Sequence, residues 1–173
     1  LRLPFDCRNP RIDERERPDE PARELARRLA HEKALALTAT QPHDWIIGCD
    51  QVPELAGQNL SKPGDRERTI AQLADGSGRS VNFYTSVCLL HQSDGVHLEH
   101  TDLTRANFRT LDRAEIERYI DLEPAFDCAG GFKCEGLGIS LFESIQTTDP
   151  TALIGLPLIG LSALLRQAGF AVP

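Results

Sequence analysis

The sequence lacks the features typical of membrane-spanning, secreted or general nucleic-acid-binding proteins. It contains no apolar run of the roughly 18 residues that a bilayer span requires, and it has no signal-peptide pattern. A basic surplus is also missing, since 26 acidic residues outnumber 19 basic ones and give a net charge of −7. We therefore expect no membrane partner, no nucleic-acid partner and a cytoplasmic location.

Paired cysteines and clustered histidines are missing as well. The five cysteines are odd in number and scattered, and they form no CxxC pair. Neither a disulfide framework nor a structural zinc site is expected from such a pattern. The five histidines include His97 and His100, but their spacing matches no zinc-binding motif. We predict reduced thiols and no histidine metal site.

The short motifs of the common nucleotide-binding and hydrolase folds are absent. There is no P-loop and no GxSxG turn, and Gly136 with Gly138 is too short for a GxGxxG fingerprint. Repeats, low-complexity tracts and linkers are also missing. A length of 173 residues is enough for one domain with a real core, so we predict a single domain over residues 1–173.

Helical periodicity is present in four segments. Before the first of them, Asp19 is a suitable cap and Pro21 suits the first turn. A capping box, formed by Asp112 and Glu115, precedes the third. The predicted helices are a segment from about 22 to 37, a segment from about 65 to 75, a segment after the capping box, and a segment from about 157 to 169.

Alternating and buried apolar runs predict a sheet among these helices. Asp94-Gly95 is a hairpin signal between two alternating runs, and two further strands are expected on either side of Glu135–Gly138. The other predicted strands cover residues 45–52, 81–89 and 96–109. Helices and strands that mix in this way indicate an α/β fold with a mixed sheet.

The first candidate for chemistry is Asp50, followed by Gln51, at the far end of the buried run that starts at Trp45. A carboxylate at such a strand end lies where α/β sheets place their ligands. It could bind a divalent cation or accept a proton from an attacking water. The alternative is an aspartate that serves only a turn or a helix cap.

Two further candidates are weaker. Glu32 lies near Arg28 and Lys33 on the first helix, where an Arg28–Glu32 ion pair on a solvated face is the simpler interpretation. Lys62 lies in a Ser-Lys-Pro-Gly loop and could reach a phosphate, although exposed loop lysines without a ligand are more common.

The last candidate is a glycine-rich stretch over residues 128–138 that carries Lys133 and Glu135. Glycine permits the close approach of backbone to a ligand. If this stretch is a strand, the two charged side chains share one face because they are two residues apart. The alternative is a bulged hairpin with exposed charges, and the glycine density slightly favours a site.

Taken together, these stretches resemble the Maf family over nearly the whole chain. Each stretch is weak alone, whereas their order and spacing together are specific. The matching stretches are Ile12–Glu14, Leu29–Ala34, Ile47–Val52, Lys62-Pro63, Tyr84-Thr85, Cys128–Phe132, Glu135–Gly138 and Gly155–Leu158. The resemblance implies a fold similar to the inosine triphosphate pyrophosphatases, with an elongated mixed sheet and two lobes around a cleft.

The resemblance also implies an activity, namely hydrolysis of a nucleoside triphosphate between its α and β phosphates with a divalent cation, Mg²⁺ or Mn²⁺. Asp50 matches the family's proton acceptor, and we expect it to hold the cation together with Glu32. Gln51 and Glu135 match positions that separate the substrate branches, and both look like the branch that acts on 7-methyl-GTP. Lys62 and Lys133 would then neutralise the triphosphate.

Two alternatives to this function stay open from the sequence. One is a pyrophosphatase of the dTTP and UTP branch, and the other is a weakly catalytic nucleotide-binding regulator of cell division. A homodimer is left open as well. The family typically begins with a Ser-x-Ser-Pro-x-Arg segment, and this sequence begins after it at Leu1. We therefore expect the domain to lack its first strand and phosphate-binding turn.

Overall fold

In the computed structural model, which describes residues 1–173, five strands form one sheet. The strands are β1 (Trp45–Leu55), β2 (Gln58–Asn59), β3 (Ser80–His91), β4 (Val96–Phe108) and β5 (Phe142–Gln146). Their order across the sheet is β2-β1-β3-β4-β5. Every pairing is antiparallel, so the mixed strand directions expected from the sequence are not seen.

Four helices flank this sheet and confirm the predicted α/β class. They are α1 (Ala22–Thr38), α2 (Arg66–Gly76), α3 (Arg113–Leu122) and α4 (Leu158–Gln167). The Asp112–Glu115 capping box is present at the start of α3. Asp19 does not cap α1, because Pro21 holds the N-cap position and makes no side-chain bond there. None of the helices has the length and apolar character needed to cross a membrane.

The two faces of the sheet carry different helices. Alternate residues of a strand point to opposite faces, and the even-numbered residues of β1 and β3, such as Ile46 and Cys88, pack against α1. The odd-numbered residues Val87 and Leu89 of β3 pack instead against α4. The sheet is therefore a central layer between α1 and α4.

A second core lies further along the face that α4 partly covers. Fourteen buried residues form this cluster, and they come mainly from α2, α3 and the neighbouring ends of the long strands. Phe83 is its most buried aromatic residue, with no exposed surface. The α4 cluster and this larger cluster form two lobes, as expected, and the middle of β1 and β3 lies between them.

One glycine sets the distance between α1 and the sheet. A Cβ atom on Gly48 would lie 2.1 Å from the carbonyl oxygen of Ala30 and 2.7 Å from the backbone nitrogen of Ala34. Only glycine fits at such a close approach. Because Gly48 precedes Asp50 by two residues, the same contact places α1 directly over the Asp50 side chain.

The segment around Glu135 differs from the prediction. A 3₁₀ turn at Ala129–Gly131 and another at Leu137–Leu141 lie on either side of it, and only the later strand, β5, is found. Gly130 and Gly131 both have positive φ angles, of 82° and 76°. Two consecutive left-handed residues cannot continue a strand.

Candidate active site

Asp50 is the centre of a buried ionic cluster between β1 and α1. Its side chain is only 10% exposed, and its Oδ1 lies 2.5 Å from the ammonium of Lys33. The same ammonium lies 2.9 Å from Oε1 of Glu14, which comes from the irregular segment before α1. Two carboxylates thus converge on one cationic group.

The protonation of this cluster reflects its burial. Burial raises the pKa of Asp50, and the hydrogen bond and charge of Lys33 only partly oppose that effect. Burial lowers the pKa of Lys33, but the hydrogen bonds and charges of Asp50 and Glu14 outweigh it and leave a raised value. Lys33 is thus a cation at neutral pH, and Asp50 is a stronger base than an exposed aspartate.

Gln51 points to the opposite face and is held by the other lobe. Its Nε2 donates to the hydroxyl of Thr85 and to the carbonyl of Ala152, each at 2.9 Å. A weaker bond reaches the carbonyl of Leu153 at 3.3 Å. Because carbonyl oxygens only accept, these contacts fix which end of the amide carries the nitrogen. The amide oxygen is left as the acceptor that Gln51 can offer to a ligand.

Gln51 and Glu135, the two residues that the resemblance links to substrate choice, line the same cavity. The cavity has a volume of about 140 Å³, and its other lining residues are Cys128, Ala129, Phe132, Lys133, Cys134, Leu153 and Ile154. Pockets that enclose a whole drug-sized ligand measure roughly 300–1,000 Å³. The cavity therefore suits one flat ring system, with the rest of a larger ligand outside.

The glycine-rich stretch forms the wall of this cavity. A Cβ atom on Gly130 would lie 3.0 Å from the rings of Phe83 and Phe132, in addition to the strain of its positive φ. The tight turn at Gly130 and Gly131 therefore lets Phe132 pack into the core while Lys133 reaches the cavity. Lys133 and Glu135 both line this cavity because the chain turns here, and the strand on which they would share one face is not formed.

The lysines are concentrated at the site. Only three of the 19 basic residues are lysine, namely Lys33, Lys62 and Lys133. Lys33 pairs with the carboxylates of its cluster, whereas Lys62 and Lys133 form no ion pair. Lys62 is close enough for its charge to act on the pKa of Asp50, a smaller effect than burial and Lys33. Two positive charges thus remain without a carboxylate partner, as an anionic ligand requires.

The edge of β1 connects the Asp50 cluster with the cavity. Asp50 and Gln51 point to opposite faces because they are adjacent on the strand. On the side away from β3, β1 pairs with β2 only through Glu54 and Leu55. A ligand that lies along this edge can contact Asp50 from one face and Gln51 from the other.

Glu32 does not take the position expected for it. Its carboxylate is held by Arg28 at 2.9 Å and by Arg17 at 3.2 Å, which is the ion-pair alternative considered from the sequence. Glu14 provides the second carboxylate beside Asp50 instead. The position of Lys33 on α1 could have predicted its place in the cluster. Lys33 follows the buried Leu29 by four residues and the buried Ala30 by three, so it lies on the helix face that packs against the sheet.

The cluster has donors that fit a divalent cation. Lys33 contacts only one oxygen of each carboxylate, Oδ1 of Asp50 and Oε1 of Glu14, so the second oxygen of each carboxylate is left for a cation. Carboxylate oxygens are the ligands that Mg²⁺ and Mn²⁺ prefer. No cysteine or histidine belongs to this group of residues.

Comparison with known proteins gives one matching family model and several relatives with about half of their residues identical. The family model described as Maf-like protein matches residues 1–168. A 7-methyl-GTP pyrophosphatase of Xanthomonas axonopodis pv. citri is 54% identical over 173 residues, which cover 100% of this chain and 90% of that protein. Proteins of the same name from Pseudomonas savastanoi pv. phaseolicola and Alcanivorax borkumensis are 52% and 47% identical over the whole chain, which covers 90% and 88% of them.

Proposed function

This chain belongs to the Maf-like protein family, and from that membership we propose that it hydrolyses 7-methyl-GTP to 7-methyl-GMP and pyrophosphate. Relatives of 47–54% identity carry the name of that activity. The observation that supports the proposal best is the cavity shared by Gln51 and Glu135, because Gln51 directly follows the buried, lysine-paired Asp50 on β1. The cavity suits the base, and the aspartate suits the reaction at the phosphates.

The chemistry of the base explains why a glutamate is useful in the cavity. A 7-methylguanine ring carries a delocalised positive charge and presents N–H donors on its Watson–Crick edge. The carboxylate of Glu135 forms no ion pair with Lys133 or any other protein cation, so its negative charge is available to oppose that of the ring. Gln51 offers its amide oxygen as a second acceptor. A glutamine in place of Glu135 would accept the same donors without opposing the charge.

In the proposed hydrolysis, the Asp50 cluster activates the attacking water. A water oxygen attacks the α-phosphorus, the bond from that phosphorus to the α–β bridging oxygen breaks, and the electron pair leaves with pyrophosphate. Asp50 accepts the proton of the water, and Lys33 holds the carboxylate in position. Lys62 and Lys133 oppose the charge of the phosphate chain.

A divalent cation belongs to this proposal as well. Asp50 and Glu14 are the residues that would hold it, in place of the Asp50–Glu32 pair expected from the sequence. Bound there, the cation would neutralise phosphate charge and would make the attacking water more acidic.

The substrate assignment is tested by substitution of Glu135 with glutamine. We expect kcat/KM on 7-methyl-GTP to fall roughly 5–30-fold, which corresponds to a loss of about 1–2 kcal/mol in transition-state stabilisation. GTP keeps the edge donors but lacks the positive charge, so its kcat/KM should fall less. UTP presents a different edge and should be little affected. The matched control is Glu143→Gln, which neutralises an exposed glutamate on β5.

The alternatives give different results in the same experiment. A pyrophosphatase of the dTTP and UTP branch would turn over UTP faster than 7-methyl-GTP before any substitution. A weakly catalytic regulator would bind nucleotides but release little pyrophosphate. Parallel losses on all three nucleotides in Glu135→Gln would remove this glutamate from the specificity site.

A further inference from the structure

A second group of ligand-type side chains lies outside the cleft, on the face of the sheet that α1 covers. It consists of Cys88 from β3 and of His97 and Glu99 from β4. In the strand register Cys88 lies directly opposite Glu99, and His97 lies opposite Leu90. One sulfur, one ring nitrogen and one carboxylate oxygen from these side chains all lie within 4.8 Å of one another.

The thiol of this group is buried without a partner. Cys88 has no exposed surface, and its sulfur makes no hydrogen bond. By contrast, the thiols of Cys49, Cys128 and Cys134 each donate to a carbonyl or carboxylate oxygen. Beside the unpartnered sulfur, Nε2 of His97 lies 2.7 Å from Oε1 of Glu99. Burial of a thiol next to these two groups costs little free energy only if the sulfur acts as a small apolar group or as a metal ligand.

The group is reached through a separate cavity of about 330 Å³, which His97 and Glu99 line together with His31 of α1. The remaining lining residues are all charged: Arg17, Glu20, Glu24, Arg27 and Arg28. The His31 ring stacks on the His97 ring with 4.5 Å between the ring centres. An ion from solvent therefore has a polar route to two of the three ligand atoms.

The donor set and its spacing suit zinc. Thiolate, imidazole and carboxylate are the three ligand types of Zn²⁺, with Zn–S near 2.3 Å and Zn–N near 2.0–2.1 Å. With tetrahedral geometry, those bond lengths put a sulfur and a nitrogen on one ion about 3.6 Å apart. A group that already lies within 4.8 Å needs only small side-chain rotations to close on an ion.

We propose that Cys88, His97 and Glu99 form a binding site for one Zn²⁺ ion. A fourth position, open to the charged cavity, would be taken by water. This site is separate from the Asp50 cluster, whose oxygen ligands favour Mg²⁺ or Mn²⁺. The proposal is independent of the pyrophosphatase activity, and it departs from the absence of a histidine metal site that the sequence predicted.

Cobalt(II) is a suitable probe because a cobalt–thiolate bond gives a charge-transfer absorption band that oxygen ligands do not. The full chain would be titrated with Co²⁺ in excess Mg²⁺ and a thiol-free reductant. We expect the band to saturate at one equivalent and to disappear when Zn²⁺ is added. In Cys88→Ala the band should be lost, and in His97→Gln the cobalt affinity should fall at least about tenfold.

Matched controls remove a cysteine and a histidine elsewhere. Cys7→Ser and His43→Gln change an exposed thiol and an exposed imidazole away from the group, and both should keep the full band. Because Cys88 is buried, its variant is compared with wild type by far-UV circular dichroism. The His97 side chain is 46% exposed, so His97→Gln tests the site without disturbing the core. The proposal is overturned if wild type shows no band at one equivalent, or if the full band persists in Cys88→Ala.

Discussion

Loss of the Lys33 charge should destabilise the fold in a way that depends on pH. In Lys33→Met the side chain keeps its length, but the ammonium that contacts Asp50 at 2.5 Å and Glu14 at 2.9 Å is gone. The two carboxylates then face each other without a cation. Arg23→Met is the matched control, because Arg23 is an exposed cation on the same helix and makes no ion pair.

The size of the effect follows from burial. Removal of one partner from a fully buried ion pair costs about 3–5 kcal/mol. The Asp50 side chain is 10% exposed, but that of Glu14 is 48% exposed and can turn to solvent. We therefore expect a loss of about 2–3 kcal/mol in the free energy of unfolding at neutral pH. Arg23→Met should change it by less than about 0.5 kcal/mol.

The pH dependence has a definite sign. Burial already raises the pKa of Asp50 above its ordinary value of 3.8, and the Lys33 charge opposes this rise. Without Lys33 the pKa of Asp50 rises further. An acid whose folded pKa is raised is destabilising above that pKa, and the cost is lost as the pH falls through it. The deficit of Lys33→Met should therefore shrink on acidification.

Urea unfolding of four proteins at neutral and mildly acidic pH measures both effects. The proteins are wild type, Lys33→Met, Asp50→Asn and the double variant, and the Arg23→Met control is measured beside them. In the Asp50→Asn background, Lys33→Met should cost less, since no buried carboxylate loses its partner. The reasoning is refuted if the deficit of Lys33→Met is the same at every pH, or if it is no larger than that of Arg23→Met.

Three further outcomes are expected. Asp50→Asn should lower kcat by about 10²–10⁴-fold with no loss of fold, and near-wild-type turnover would exclude Asp50 as the base. Exhaustive chelation with EDTA should abolish pyrophosphate release and added Mg²⁺ should restore it, whereas full activity after chelation would contradict a cation held by carboxylates. Gly48→Ala should cost about 3 kcal/mol in urea unfolding, because the new Cβ atom would meet the Ala30 carbonyl at 2.1 Å; a loss below about 1 kcal/mol would show that α1 lies further from the sheet.

Features that depend on neighbours in the sequence were predictable. The capping box at Asp112 and Glu115 is present as expected, and so is the hairpin turn at Asp94-Gly95. Both are recognised by residue types at fixed short spacing, so the local sequence determines them. Asp50 was identified for the same reason, as a carboxylate that follows a buried apolar run.

Features that depend on tertiary contacts were not predictable in the same way. The pairing of Lys33 with Glu14 joins two segments that are separated by an irregular stretch with no recognisable period. The local spacing of Arg28 and Glu32 correctly indicated their ion pair, whereas the second contact of Glu32, with Arg17, comes from the irregular segment before α1. The strand expected before Glu135 is not formed, because Gly130 has a left-handed backbone conformation and leaves no room for a Cβ atom beside the rings of Phe83 and Phe132.

The central claim is that the chain prefers 7-methyl-GTP and releases pyrophosphate from it. The most direct measurement is kcat/KM for 7-methyl-GTP, GTP, UTP and dTTP with Mg²⁺, with the products separated and identified. We expect 7-methyl-GTP to have the highest value and to give 7-methyl-GMP and pyrophosphate in equal amounts. A higher value for UTP or dTTP, or the release of orthophosphate with 7-methyl-GDP, would contradict the account.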